Sequence, residues 1–179
     1  MNIPNKLTMI RVIMIPFFLV CLYMQTFYTR IAALILFCAA SLTDALDGYI
    51  ARKYDLVTNF GKFMDPLADK LLVCSAMIAL SDVSSAVMLP SWIVIIVIAR
   101  EFMITGFRTL AAEQNIVIAA GLWGKLKTVF QMIMIIVLLL NIDNSFFNTV
   151  SYILIGLSLV LTVISALDYI IKNKDVLHG

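Results

Sequence analysis

The sequence has few of the residues that enzymes most often use for acid–base or nucleophilic chemistry. It contains a single histidine, His178, one position before its last residue, so any acid–base chemistry must rest on other groups. Its three cysteines, Cys21, Cys38 and Cys74, each lie inside an apolar run. They show neither metal-ligand spacing nor a paired disulfide framework, which favours an interpretation as small buried hydrophobic residues.

Charge is also scarce. Charged residues make up 13% of the 179 residues and hydrophobic residues 63%, whereas a soluble domain is typically about 25% charged and about 45–50% apolar. A soluble globule, a disordered chain and a nucleic-acid binder are therefore not expected. The mean hydropathy of +1.03 indicates an integral membrane protein, and the net charge of +2 is too small to imply a polyanionic partner.

Long apolar runs dominate what remains. A spanning helix needs roughly 20 mainly apolar residues. Six runs qualify: Leu7–Gln25, Ile31–Ile50, Phe60–Leu80, Val87–Leu110, Leu122–Leu140 and Phe146–Ile171. Arg11 and Pro16 interrupt the first, so its start is expected to be an interfacial amphipathic segment that turns into the membrane. With short connections and no internal repeat, residues 1–179 are predicted to form a single all-α domain, a polytopic bundle of six transmembrane helices.

The basic residues predict the orientation of this bundle. If six spans alternate, both termini share one side with twelve of the thirteen lysines and arginines, and only Arg30 lies on the other. This asymmetry places the termini and the loops near residues 51–62 and 111–124 in the cytoplasm. The turns near residues 26–30, 81–86 and 141–146 are expected to face out.

Several spans carry charge before their cytoplasmic ends. At about 1.5 Å per residue, charges on four helices lie about 20–26 Å from the outer ends, in the cytoplasmic half of the membrane. Asp44, Asp47 and Gly48 fall on one stripe of a helix, and Gly61, Asp65 and Asp69 on one stripe of the next. If these stripes face each other, four carboxylates converge. Two hard divalent cations, Mg²⁺ or Mn²⁺, would balance their charge.

Each feature also has an ordinary structural explanation. The charges could simply end helices at the membrane interface, and Asp65 before Pro66 could be a helix N-cap. Gly48 could serve close helix packing. These explanations would all have to coincide in one register and at one depth, which favours the metal site.

The spacing of these residues also carries a family resemblance. The pattern is Asp44-x2-Asp47-Gly48-x2-Ala51-Arg52-x8-Gly61-x3-Asp65-x3-Asp69. It resembles, at every fixed position, the signature of the CDP-alcohol phosphotransferase family. The resemblance implies a six-span enzyme, usually a homodimer, that transfers a phosphatidyl group from CDP-diacylglycerol to an alcohol and releases CMP. It implies that Asp44, Asp47 and Asp65 hold metals, and that Asp69 completes the site and acts as the base on the acceptor hydroxyl. It assigns contacts with the CDP moiety to Gly48, Arg52 and Gly61.

Further residues resemble those found in one branch of this family. The acceptor of that branch is sn-glycerol 3-phosphate, and its products are phosphatidylglycerophosphate and CMP. These residues are Pro4 to Thr8, Arg11, Ala99 to Phe102, Arg108, Gly124 to Thr128 and Gln131. Glycerol 3-phosphate is a dianion, so its site should offer arginine or lysine donors. The candidates are Arg100, Arg108, Lys125 and Lys127, with Arg11 from the first helix. Glu101 is a candidate for orienting Arg100.

Alternatives remain for the basic residues and for the function. The basic residues could instead be anchors that snorkel to lipid phosphates. The same chemistry could use phosphatidylglycerol (giving cardiolipin), inositol phosphate or serine as acceptor. A divalent-cation channel or carrier is a more distant alternative, and the apolar outer halves of the spans argue against it.

Overall fold

The computed structural model describes residues 3–53, 59–83, 85–113 and 121–173. Within these ranges, the side chains of residues 3–4, 44–53, 59–63, 65–66 and 112–113 lie outside the described part. Every regular element in these ranges is a helix: α1 (Ile3–Tyr23), α2 (Phe27–Lys53), α3 (Asn59–Asp82), α4 (Ser91–Glu113), α5 (Leu122–Leu140) and α6 (Ser145–Lys172). The prediction of an all-α fold with six helices is confirmed.

Local signals set several helix ends. Helix α4 begins at Ser91, four residues later than predicted, because Pro90 lacks an N–H and its carbonyl accepts the first bond, from Ile93 N at 3.0 Å. Asn144 caps α6 by accepting from the Phe146 N–H at 3.0 Å. Helix α5 is followed directly by Asn141 in the left-handed region, at φ 48°, a conformation that asparagine tolerates.

Three described helices, α1, α5 and α6, are long and apolar enough to cross a membrane by length and composition, over Asn5–Tyr23, Leu122–Leu140 and Ser145–Lys172. The other three helices are 23–27 residues long and carry charged residues within their length. A membrane helical bundle fits these properties.

The chain divides into two compact units, and the first comprises residues 1–88 and 138–141. In it α1 packs against α2 and α3. Arg11 contacts Ala40, and Phe18 contacts Phe37 with ring centroids 5.9 Å apart. Later residues of α1 thus meet earlier residues of α2, so the two helices are antiparallel, as consecutive spans must be.

The buried face of α1 is polar at its beginning and apolar further on. Asn5, Thr8 and Arg11 are buried, followed along the same face by Ile15, Phe18 and Leu22. The helix runs from Ile3 to Tyr23 as one element, and the polar side chains of its predicted amphipathic start point into the unit.

Residues next to three connections meet at one end of this unit. Arg30 donates from Nη2 to Ser85 Oγ at 2.6 Å, and the Ala86 N–H donates to Asn141 Oδ1 at 2.8 Å. These residues lie in or beside the three turns predicted to share the outer side. Their contact is the arrangement that alternating spans require.

The second unit comprises residues 89–137 and 142–179. Here α4 packs against α6. Arg100 of α4 contacts Ser165 of α6. Phe107, two turns later in α4, contacts Tyr169, one turn later in α6. Residue numbers therefore increase in the same direction along both helices, so α4 and α6 are parallel, as the alternation of spans predicts for the fourth and sixth.

Candidate active site

The acidic motif lies on two helices of the first unit. Asp44, Asp47 and Gly48 are in the last three turns of α2, and Asp65 and Asp69 are one turn apart in the first half of α3. Both segments are helical, which confirms the periodicity behind the two predicted stripes. The side chains of Asp44, Asp47 and Asp65 lie outside the described residues, so their convergence stays a prediction, while the Asp69 side chain is half-buried.

The donor set of this motif suits hard cations. The side chains that the structure describes include Asp69 but not the other three aspartates of the motif. Among these described side chains, no group of three histidine, cysteine, aspartate or glutamate residues could hold a metal ion. The four motif donors are all carboxylates, the ligands that Mg²⁺ and Mn²⁺ prefer. They lie on α2 and α3, which pack against each other in the same unit. The residues present fit a divalent-metal site in their chemistry. The residues predicted to contact the nucleotide also belong to these two helices, and all three lie at positions whose side chains are outside the described part: Gly48, Arg52 and Gly61.

The second unit brings two predicted acceptor residues together around one carboxylate. Arg100 Nη1 donates to Glu101 Oε1 at 3.0 Å, and Lys127 Nζ donates to the same oxygen. The Lys127 side chain is 2% exposed, Arg100 11% and Glu101 19%. Burying a charge is costly unless it is paired, so Glu101 makes it possible for two cations to lie this deep.

A serine of α6 completes the surroundings of Arg100. Ser165 Oγ accepts a hydrogen bond from Arg100 Nη2 and is 3% exposed. Gly124 lies beside this contact, since a methyl group there would be 3.6 Å from Ser165 Oγ and 3.7 Å from Arg100 Nη2. The guanidinium is therefore fixed between α4 and α6, with α5 adjacent.

The other predicted acceptor residues of this unit are more exposed. Arg108 is exposed, and its guanidinium carbon lies 5.7 Å from the ring centroid of buried Tyr169, a cation–π arrangement. Tyr169 also packs edge-to-face on Phe107, with ring centroids 5.7 Å apart. Lys125 is exposed on the first turn of α5. Exposed cations of this kind can meet an anionic solute directly.

Arg11 has a different environment. Its side chain is wholly buried in the first unit, and its Nε donates to the Ala40 carbonyl at 3.2 Å. Ala40 lies one turn before Asp44, so this contact braces the part of α2 that leads into the acidic motif. This contact is structural, and a role of Arg11 toward the acceptor stays a prediction.

Sequence reasoning missed Ser165 and Tyr169, because each lies in a long apolar run with no motif around it. A periodic signal was present nevertheless. Ser151, Ser158 and Ser165 recur every seven residues on α6, and all three are buried. Small polar residues at heptad spacing in an apolar helix mark the face that packs against other helices.

Comparisons with known proteins identify the family of the chain. The family model for CDP-alcohol phosphatidyltransferases matches residues 1–164. The chain belongs to this family. Three named relatives align with it over nearly its full length.

The first relative, from Bacillus subtilis (strain 168), is named CDP-diacylglycerol–glycerol-3-phosphate 3-phosphatidyltransferase. It is 43% identical over 192 aligned residues, which cover 98% of this chain and 97% of that protein. A Rickettsia bellii protein of the same name is 37% identical, covering 94% of this chain and 93% of its own length. A Mycobacterium tuberculosis protein named probable phosphatidylglycerophosphate synthase is 36% identical, covering 96% of this chain and 81% of its own length.

Proposed function

We propose that this protein transfers the phosphatidyl group of CDP-diacylglycerol to the primary hydroxyl of sn-glycerol 3-phosphate, forming phosphatidylglycerophosphate and CMP. The observation that carries the proposal is the near full-length similarity, at 43% identity, to the Bacillus subtilis protein named for this reaction. The acidic motif on α2 and α3 and the basic residues on α4 and α5 supply the two kinds of site that such a reaction needs.

The donor site is assigned to the first unit. Asp44, Asp47, Asp65 and Asp69 would hold two divalent cations, Mg²⁺ or Mn²⁺, which when bound offset the charge of the donor pyrophosphate and of the departing CMP. Contacts with the CDP moiety are assigned to Gly48, Arg52 and Gly61. The absence of a side chain at the two glycines lets a phosphate approach the backbone.

The acceptor site is assigned to the basic residues, because the phosphate of glycerol 3-phosphate is a dianion that arginine and lysine bind well. The residues are Arg100, Arg108, Lys125, Lys127 and Arg11. The pairing of Arg100 and Lys127 through Glu101 supports a built site, since surface anchors need no such arrangement. Arg11 is the one member of this set on α1, and its Nε also donates to the Ala40 carbonyl.

In the chemical step, the primary hydroxyl oxygen of glycerol 3-phosphate attacks the phosphorus that is esterified to diacylglycerol. A new P–O bond forms, the P–O bond of the anhydride breaks, and CMP leaves with that electron pair. Asp69 accepts the proton from the attacking hydroxyl.

The reaction is placed at the cytoplasmic half of the cell membrane. Its lipid donor lies in the bilayer, while glycerol 3-phosphate is a soluble anion. Six spans with both termini inside follow from the distribution of the basic residues. A homodimer follows from the family resemblance.

The acceptor is tested with purified protein in detergent or in vesicles. CDP-diacylglycerol is supplied with glycerol 3-phosphate, phosphatidylglycerol, inositol phosphate or serine, and CMP release and the lipid product are measured. We expect rapid CMP release and a phosphatidylglycerophosphate product with glycerol 3-phosphate alone. Preferential use of another alcohol would overturn the assigned acceptor, and no CMP release with any of them would overturn the reaction.

A further inference from the structure

The guanidinium of Arg100 is held from two sides by residues of two different helices. Nη1 donates to Glu101 on α4, and Nη2 donates to Ser165 on α6. Glu101 also accepts from Lys127 on α5. One carboxylate and one hydroxyl therefore fix a buried lysine and a half-buried arginine at a point where three helices of the second unit contribute.

The surroundings of Arg100 offer little else to hold it. A groove of about 290 Å³ between α4 and α6 borders the side chain, and the rest of its lining is apolar except for Thr162. The Thr162 hydroxyl is already used, since it donates to the Ser158 carbonyl at 2.7 Å. An arginine beside an apolar groove adopts many rotamers unless acceptors fix it, and fixing it in advance lowers the entropic cost of binding an anion.

Arg100 keeps a donor for a further group. Arg100 and Lys127 both donate to the same carboxylate oxygen, Glu101 Oε1. The Nε of Arg100 is buried and has no hydrogen-bond partner among the described residues. An acceptor atom of a bound anion would satisfy this donor.

We propose that Glu101 and Ser165 are positioning residues of the acceptor site, which fix Arg100 and Lys127 in the arrangement that receives the phosphate of glycerol 3-phosphate. Neither residue touches substrate in this proposal, because each acts through a cation. The proposal rests on the proposed function, since it assumes a phosphorylated acceptor.

The first test compares two serines of α6. Ser165→Ala removes the hydroxyl that accepts the hydrogen bond from Arg100 Nη2. The matched control Ser158→Ala makes the same change at another buried serine of the helix, whose hydroxyl has no partner among the described residues. We expect Ser165→Ala to raise the KM for glycerol 3-phosphate about five- to tenfold, with the KM for CDP-diacylglycerol unchanged and Ser158→Ala like the wild type. Equal effects of the two variants, or an equal rise in both KM values, would overturn the proposal.

The second test asks whether Ser165 acts through Arg100. If it does, Ser165→Ala adds nothing in an Arg100→Gln background, because the group it positions is already gone. A full additional effect in that background would contradict the positioning role.

Glu101→Gln, which keeps the shape but removes the charge, is expected to raise the KM for glycerol 3-phosphate about tenfold or more. An unchanged KM in this variant would contradict the role of Glu101.

The two proposals fail in distinguishable ways. If the wild type uses inositol phosphate instead, the proposed function is wrong, and the positioning role survives only if Ser165→Ala raises the KM for that acceptor. If it uses serine, which has no phosphate, both are wrong. If it uses glycerol 3-phosphate and Ser165→Ala behaves like Ser158→Ala, the positioning role alone is wrong.

Discussion

At the scale of single residues, the protein keeps charged groups in positions where most membrane proteins have none. Lys127 is almost wholly buried, and its ammonium is stabilised by Glu101. Asp69 is half-buried on α3, on a helix that is otherwise mostly apolar. Such groups are costly to bury and usually mark function.

Asp69→Asn should reduce kcat by a factor of about 100 or more, because an amide cannot accept the proton of the attacking hydroxyl. Binding of CDP-diacylglycerol should persist. The measurements are CMP release and equilibrium binding of the labelled donor lipid. Asp82→Asn, the same change at the exposed far end of α3, is the control and should be as active as the wild type. Turnover retained by Asp69→Asn would exclude this residue as the base.

Lys125→Ala should raise the KM for glycerol 3-phosphate about tenfold and leave the KM for CDP-diacylglycerol nearly unchanged. The reason is that the variant loses a charged contact with the acceptor phosphate and no contact with the donor lipid. Steady-state kinetics with each substrate varied in turn measure this. Lys172→Ala is the control, since Lys172 is exposed and its Nζ pairs with Asp168 at 2.6 Å on the surface of α6. A parallel loss for both substrates would count against an acceptor role of Lys125.

At the scale of helices, a buried polar residue of α1, Arg11, connects it to α2. Arg11 donates to the Ala40 carbonyl, which also accepts from the Thr43 hydroxyl at 2.7 Å. These contacts fix the turn of α2 that precedes Asp44. The position of the acidic motif thus depends on α1, although α1 contributes none of its carboxylates.

Arg11→Met should destabilise the protein by about 1.5–3 kcal/mol, the range for a buried hydrogen bond that involves a charged group. The measurement is the thermal unfolding midpoint in detergent. Lys6→Met, at an exposed position of α1, is the control and should leave the midpoint within error of the wild type. If both variants unfold at the wild-type temperature, the contact with Ala40 does not brace α2.

Much of the architecture could be predicted from the sequence, because long apolar runs specify helices directly. The predicted bounds of α5 coincide with the structure, whereas α4 begins at Ser91, after Pro90, and not at the predicted Val87. The bond between Lys127 and Glu101 joins residues 26 apart in sequence and depends on how two helices pack. Local sequence patterns do not specify how two helices pack. For the same reason the hydrogen bond between Arg100 and Ser165 could not be predicted from the sequence.

At the scale of the whole molecule, the proposed reaction requires an orientation in which both termini lie in the cytoplasm. Residues beside three connections meet at one end of the first unit, and nearly all basic residues belong to the opposite side if the spans alternate. From the positive-inside rule we therefore expect the donor and acceptor residues to lie toward the cytoplasm.

This orientation is tested by labelling single cysteines in a cysteine-free background. Asp143→Cys, in the exposed turn before α6, should react with a membrane-impermeant maleimide in intact cells. Lys172→Cys, exposed at the other end of α6, should react only after permeabilisation. The reverse pattern would show that the termini face out.

The central claim is that the aspartates of α2 and α3 hold divalent cations with which CDP-diacylglycerol is cleaved by glycerol 3-phosphate. The most direct measurement is CMP release by the purified protein with both substrates, first after removal of metals by a chelator and then with Mg²⁺ or Mn²⁺ restored. The account predicts no release without metal, recovery on adding either ion, and no recovery in Asp44→Asn or Asp65→Asn. Full release in the presence of excess chelator, or wild-type activity of these variants, would contradict it.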